Sequence, residues 1–103
     1  MTESLQKALD IIIRVADPDR IILFGSHARN EANDDSDYDL LVLKKNIIKK
    51  RRLAQKIYSN FKNIGAPIDI IVNDLSEYEI LKNDPYMIYE TISKEGLVIY
   101  DKN

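Results

Sequence analysis

The stretch Ile22-Leu23-Phe24-Gly25-Ser26-His27-Ala28-Arg29, followed six residues on by Ser36-Asp37-Tyr38-Asp39-Leu40-Leu41-Val42-Leu43, decides how this chain is read. Arg20 to Phe24 is a short apolar run that stops at a glycine, which predicts a buried strand. Gly25 to Asn30 predicts a tight turn opening a short helix. Glycine between a buried strand and a helix start is where backbone can approach an anionic oxygen. The further glycines of a Walker loop or a dinucleotide fingerprint are absent, so neither applies. Asp37 to Leu43 predicts a second strand. Side chains two apart on a strand share a face, so Asp37 and Asp39 fall together while Tyr38, Leu40 and Val42 take the other face. Aspartate is depleted in strands, and two like charges side by side repel. A cation would relieve them, and two carboxylates at this spacing can grip one or two Mg²⁺ ions. The alternative is that Asp37 ends the polar 31–36 loop and Asp39 faces solvent.

Working outward, Leu5, Ala8, Leu9, Ile12, Ile13 and Ala16 recur at helical spacing, so a helix is expected from Thr2 to Val15, capped by Thr2 and ended by Asp17-Pro18. Asn46 is read as the cap of a long basic helix with the stripe Leu53, Ile57, Phe61 and Ile64, stopped by Gly65. Pro67 to Val72 is a third strand, Leu75 to Lys82 a short helix. A further helix is expected from Pro85, capped by Asp84 and ended by Gly96, before a last strand over Leu97–Tyr100. No repeat or linker interrupts the pattern, which reads as one domain over residues 1–103.

Asp69 lies in Ile68-Asp69-Ile70-Ile71-Val72, where every neighbour is aliphatic. A carboxylate inside a buried strand is costly unless paired or bound to metal. With this strand beside Asp37–Leu43, Asp69 joins the other two carboxylates; on an edge strand it turns to water instead. Ser26 adds a hydroxyl donor to the Gly25 turn, or simply caps it. Arg29, one turn on, reaches a phosphate or pairs with Glu31 or another surface carboxylate. The 103 residues are 45% hydrophobic and 31% charged, which excludes a disordered chain. No apolar run suits a bilayer span, and the first residues do not read as a signal peptide, so a cytoplasmic protein is expected. The absence of cysteine excludes disulfides and thiolate metal sites, and a single histidine excludes a His-rich one. A net charge of −2 gives no general pull on nucleic acid.

Phe24-Gly25-Ser26-His27-Ala28-Arg29, the six-residue loop, Ser36-Asp37-Tyr38-Asp39-Leu40 and the later strand aspartate resemble the nucleotidyltransferase motif of the DNA polymerase β superfamily. The small size and the ending Glu95-Gly96-Leu97-Val98-Ile99-Tyr100 are most similar to its minimal nucleotidyltransferase (MNT) branch. The resemblance spans Ile21 to Val72 and includes the C-terminal strand. It implies an α/β fold with a small mixed sheet flanked by helices, two Mg²⁺ ions held by Asp37, Asp39 and Asp69, and a triphosphate held by Gly25 and Ser26, to which Arg29 is a further candidate. It implies transfer of a nucleoside monophosphate, AMP from ATP, to a hydroxyl. The branch works beside small helical HEPN toxins, which implies an antitoxin that modifies a partner tyrosine, in a homo- or hetero-oligomer. The rival reading is a non-catalytic module that neutralises its partner by covering it. The family pattern has glycine directly after the arginine, where this chain has Asn30, the residue next most tolerant of left-handed backbone.

His27 occupies the motif's variable position and is read as a surface or packing residue. Lys49, Lys50, Arg51, Arg52 and Lys56 form a basic stretch, either a solvated face balancing the acidic loop or a surface for phosphate or a partner. The tyrosines show no stacking platform for single strands. Most are expected in the core, with Tyr86, Tyr89 and Tyr100 available as a docking face.

Overall fold

The computed structural model describes residues 1–33 and 35–103. Its elements run α1 (Glu3–Ala16), β1 (Arg20–Phe24), β2 (Tyr38–Lys44), α2 (Lys50–Asn60), β3 (Ile68–Asp74), α3 (Leu75–Leu81), α4 (Ile88–Glu95) and β4 (Leu97–Asp101). The four strands form one mixed sheet in the order β3-β2-β1-β4. β1 pairs antiparallel with β2 and β4, while β2 and β3 run parallel, joined by the crossover that contains α2.

Strand alternation divides the core between two faces. Ile21, Leu23, Leu40, Val42, Ile68 and Val72 pack against Leu5, Leu9 and Ile12 of α1 and Ile57 of α2. Ile22, Leu41 and Leu43 pack against Leu75 and Tyr78 of α3 and Ile92 of α4. Asp39 and Asp69 stand on this second face by the same alternation, at the sheet end where β1 finishes and β2 and β3 begin.

The expected elements all exist as named except the helix after Gly25, and several boundaries move for local reasons. The Thr2 hydroxyl accepts from the Leu5 amide at 3.2 Å and caps α1, and Asp17 ends it in the left-handed region at φ 46. After Gly25 the chain makes hydrogen-bonded turns, with the Ala28 and Arg29 amides both donating to the Gly25 carbonyl at 3.1 Å. Asn30 then takes φ 58, a left-handed exit that breaks any helical run. β2 starts at Tyr38, so Asp37 lies one residue outside the ladder. The partner of Asp37 on β3 would be Pro67, which has no N–H to donate; its carbonyl accepts from Tyr38 instead at 3.0 Å.

Asn46 does not cap α2. It bends the chain at φ 61, and the next amide, of Ile47, donates to the Asp74 carboxylate at 3.2 Å. The helix begins at Lys50 with no side-chain cap. It ends at Asn60, where the Ser59 and Asn60 side chains both bond the Lys56 carbonyl, so Phe61 and Ile64 pack from the following loop and Gly65 stops nothing. Asp84 does not cap α4 either. Its carboxylate accepts from the Tyr86 amide at 2.9 Å, a local turn that delays the helix to Ile88. The cap that works on this side is Asp74, which accepts from the Ser76 and Glu77 amides and the Ser76 hydroxyl, holding its carboxyl down at about 2.

Tyr38 and Tyr78 are buried, Tyr89 and Tyr100 half-buried, and Tyr86 stands in solvent. No helix among the described residues is long and apolar enough to cross a membrane.

Candidate active site

The parallel pairing of β2 with β3 puts Asp39 directly beside Asp69. Neighbouring strands lie about 4.8 Å apart, so two carboxylates on one face of adjacent strands are close neighbours. Asp37, just before β2, lies against Asp69. This contact holds the Asp69 carboxyl above the usual aspartate range, helped by partial burial and the Asp37 charge. Asp39 is raised too, by burial first and then by the charges of Asp69 and Asp37, with His27 and Arg29 opposing. Asp69 does not sit in a buried strand, however. β3 is a sheet edge, and the Asp69 side chain is exposed, as is that of Asp37; only Asp39 is half-buried. The two alternatives weighed for Asp69 therefore hold together: it lies on an edge strand, open to water, and it joins the other two aspartates.

On the other side of Asp39, β1 presents Phe24 in register and then Gly25. Gly25 has φ 75, and a Cβ built there would overlap the Asp39 carboxylate oxygen and lie 3.1 Å from its Cγ. Only glycine lets the turn approach this carboxylate so closely. Among the described residues the amides of Ser26 and His27 take no part in the turn's backbone hydrogen bonds, while the Ser26 carbonyl accepts from Glu31 at 2.9 Å. Such amides at a strand-to-turn junction are donors of the kind that bind anionic oxygen. Arg29 lies on the surface between two carboxylates, 3.3 Å from Glu31 and 3.7 Å from Glu95. A cleft of about 210 Å³ opens beside Gly25 and Arg29, between the end of β1 and Ile88, Thr91 and Ile92 of α4.

His27 does more than the sequence suggested. Its ring stacks on Tyr38 with centroids 3.8 Å apart and planes 12° off parallel, and its Nε2 lies 3.1 Å from the Ser36 carbonyl. The Tyr38 hydroxyl is 2.8 Å from the Thr2 hydroxyl. The turn after β1 is thereby tied to the start of β2 and to α1. Glu95 is the further surface carboxylate beside Arg29, whose identity the sequence left open. Both contacts span distances no local spacing encodes; a histidine within the motif and an aromatic between the two aspartates were the only available signals.

All the donors at this end are oxygens, which suit a hard divalent cation. Among the described residues no three such side chains already converge on one point to hold an ion. Instead Asp69 is held above its ordinary range by its contact with Asp37, by burial and by the Asp37 charge, and Asp39 by burial first and then by the charges of Asp69 and Asp37. That unrelieved negative charge is what a divalent cation would neutralise, and the donor set fits one.

The fold defined by this sheet is that of nucleotidyltransferase structures. A crystal structure from Sulfolobus solfataricus, provisionally described as a nucleotidyltransferase, superposes with a TM-score of 0.61 at 17% identity, over 99% of this chain and 90% of that one. A chain of a toxin–antitoxin complex with AMP-PNP superposes equally well, at 0.61 and 19% identity, over 95% of this chain and 73% of that one. Residues 6–103 match the family model described as polymerase beta, nucleotidyltransferase, and the chain belongs to that family. A Methanocaldococcus jannaschii protein with the provisional name of protein adenylyltransferase is 33% identical over 66 residues, which are 62% of this chain and 64% of that protein, just under two thirds of its length.

Proposed function

We propose that this chain is a Mg²⁺-dependent nucleotidyltransferase that moves AMP from ATP to a tyrosine hydroxyl on a partner protein, a small helical toxin of the HEPN kind. The observation that carries the reading is the placement of Asp37, Asp39 and Asp69 at one sheet end, against a Gly25-Ser26 turn whose Ser26 and His27 amides have no backbone partner among the described residues. The relative from Methanocaldococcus jannaschii and the neighbour from a toxin–antitoxin complex support the adenylyl and partner elements of the proposal.

In this mechanism Asp37, Asp39 and Asp69 hold the divalent cations, which when bound would offset the charge of the triphosphate and align the attacking and leaving oxygens. The Ser26 and His27 amides and the Ser26 hydroxyl bind phosphate oxygens. Arg29 exchanges its surface carboxylates for a phosphate. The acceptor oxygen bonds to the α-phosphorus, the α–β bridging P–O bond breaks, and pyrophosphate leaves. Asp69, open to solvent on the outer side of the site, takes the hydroxyl proton. A phenol suits this weak base, since its pKa of about 10 lies far below that of an aliphatic alcohol.

The test mixes the protein with the product of the neighbouring gene, ATP and Mg²⁺, and reads intact masses. The expected result is a gain of AMP units on the partner, lost with Asp69→Asn. An unmodified yet inhibited partner would overturn the catalytic reading in favour of a module that acts by covering. Label appearing only on added RNA would overturn both.

A further inference from the structure

The chain's charge is sharply divided. Residues 44–56 hold seven of the fifteen lysines and arginines and no acidic residue, leaving eight cations elsewhere against all seventeen aspartates and glutamates. A formal net charge of −2 therefore conceals a strongly positive surface on an otherwise negative molecule. Two of the seven have partners: Lys50 pairs with Glu77 at 2.8 Å, and the Lys44 ammonium donates to the Asp17 carbonyl at 2.9 Å. Among the described residues no carboxylate lies within ion-pair distance of Lys45, Lys49, Arg51, Arg52 or Lys56.

The same segment has a shape. A cleft of about 310 Å³ lies between the 44–49 turn and the first two turns of α2. Ile47 and Leu53 form its floor, packed from behind against the core. Ile48 stands at its lip with 92% of its surface in solvent. Lys49, Arg52 and Lys56 line the rim, their aliphatic stems adding to an almost wholly apolar wall. The cleft begins where β2 ends, about 17 Å along that strand from Asp39. It is separate from the carboxylate site.

We infer that this cleft is a docking surface for an acidic amphipathic helix of a partner protein, whose apolar side chains enter the groove while its carboxylates meet the cationic rim. Charge and shape both select this occupant. An apolar floor between cations matches a helix with an apolar stripe and acidic flanks. Nucleic acid would leave the floor unused, finds no aromatic platform in the groove, and meets a negative remainder of the molecule. A membrane surface calls for several protruding apolar side chains, whereas here Ile48 alone protrudes and Ile47 and Leu53 line a concavity. The surface stands whether or not the docked protein is also the acceptor of a nucleotide.

The test uses the full chain and a fluorescein-labelled 16-residue peptide with leucines at i, i+3, i+4 and i+7 and glutamates on the flanking positions. Fluorescence anisotropy should show saturable binding with Kd in the micromolar range. Ile48→Ser and Arg52→Glu both alter exposed side chains, and circular dichroism melts should show both folded. Each should weaken binding at least tenfold. Equal binding of a scrambled peptide of the same composition would overturn the inference, because charge alone would then suffice. So would undiminished binding by both variants, or tighter binding of a 16-nucleotide RNA or of phosphatidylserine vesicles than of the peptide.

Discussion

Gly25→Ala tests the closest approach in the carboxylate site. Two separate costs arise. Alanine at φ 75 pays the left-handed penalty of an L side chain, about 1–2 kcal/mol. The new methyl also overlaps the Asp39 carboxylate, with Cγ at 3.1 Å, and pushing that side chain off its rotamer costs about 0.5–1.5 kcal/mol. The sum, about 1.5–3.5 kcal/mol, is below the roughly 5–15 kcal/mol that holds a domain together, so the variant should fold and be measurable. Asp39→Ala separates the two costs, because it leaves only the Asp39 Cβ, 3.4 Å from the new methyl and in ordinary contact. Urea unfolding of the wild type, both single variants and the double variant closes a double-mutant cycle. The expected coupling is about 0.5–1.5 kcal/mol, with Gly25→Ala costing less in the Asp39→Ala background. Additivity within about 0.3 kcal/mol would refute the contact between turn and carboxylate, and a Gly25→Ala variant as stable as wild type would refute the backbone reasoning as well.

Asp39→Asn should raise the melting temperature of the metal-free protein at pH 7, since it removes a carboxylate whose ionised form the fold disfavours. Because the folded pKa is raised, the gain should fade as pH falls through that value and vanish below the ordinary 3.8; a gain that grows in acid would contradict the direction of the shift. Mg²⁺ with ATP should raise the wild-type melting temperature by more than the sum of either alone, and this excess should disappear in the Asp37→Asn/Asp39→Asn double variant; simply additive shifts in differential scanning fluorimetry would argue against joint binding at the carboxylates. Tyr38→Phe removes the 2.8 Å link to Thr2 but keeps the ring stacked on His27. It should cost about 0.5–1.5 kcal/mol in urea unfolding, and a shift in the His27 ring proton resonances beyond the loss of the hydroxyl would show that the stack itself had moved.

Periodicity reached furthest where burial decides the structure. Leu5 to Ala16 and Arg20 to Phe24 announce α1 and β1 because their apolar spacing is what the core requires. It failed where polar side chains compete for backbone. Asn46, Asp84 and Gly65 are all residues that suit caps, and each was assigned one; Asn46 and Gly65 instead bend loops and Asp84 closes a local turn. A cap and an Asx turn use the same side chain and the same amides, so local sequence does not tell them apart. The grouping of the three aspartates was legible only conditionally. Their faces followed from alternation, but their meeting depended on β3 lying parallel beside β2, a matter of topology. The exposure of Asp69 entered only as the alternative to pairing, because its aliphatic neighbours read as a buried strand, whereas β3 is an edge with one row of side chains partly open.

The exposure of Asp69 changes what its position means. In a buried strand a lone carboxylate would be an energetic defect demanding a partner. At an edge, water solvates it, and the fold tolerates the charge without any ligand. The pressure for a cation comes instead from Asp39, half-buried and flanked on one side by Asp69 and on the other by the Gly25 turn. Asp39 cannot turn away from Asp69 toward β1 unless position 25 lacks a side chain, and it does lack one. The close turn therefore gives the central carboxylate room while setting the turn that carries the Ser26 and His27 amides against it. In the proposed site one glycine thus sets anion donors beside a charged carboxylate, the pairing that a metal-bound phosphate would use. The exposed Asp69 and Asp37 leave the outer side of that arrangement open to an incoming group.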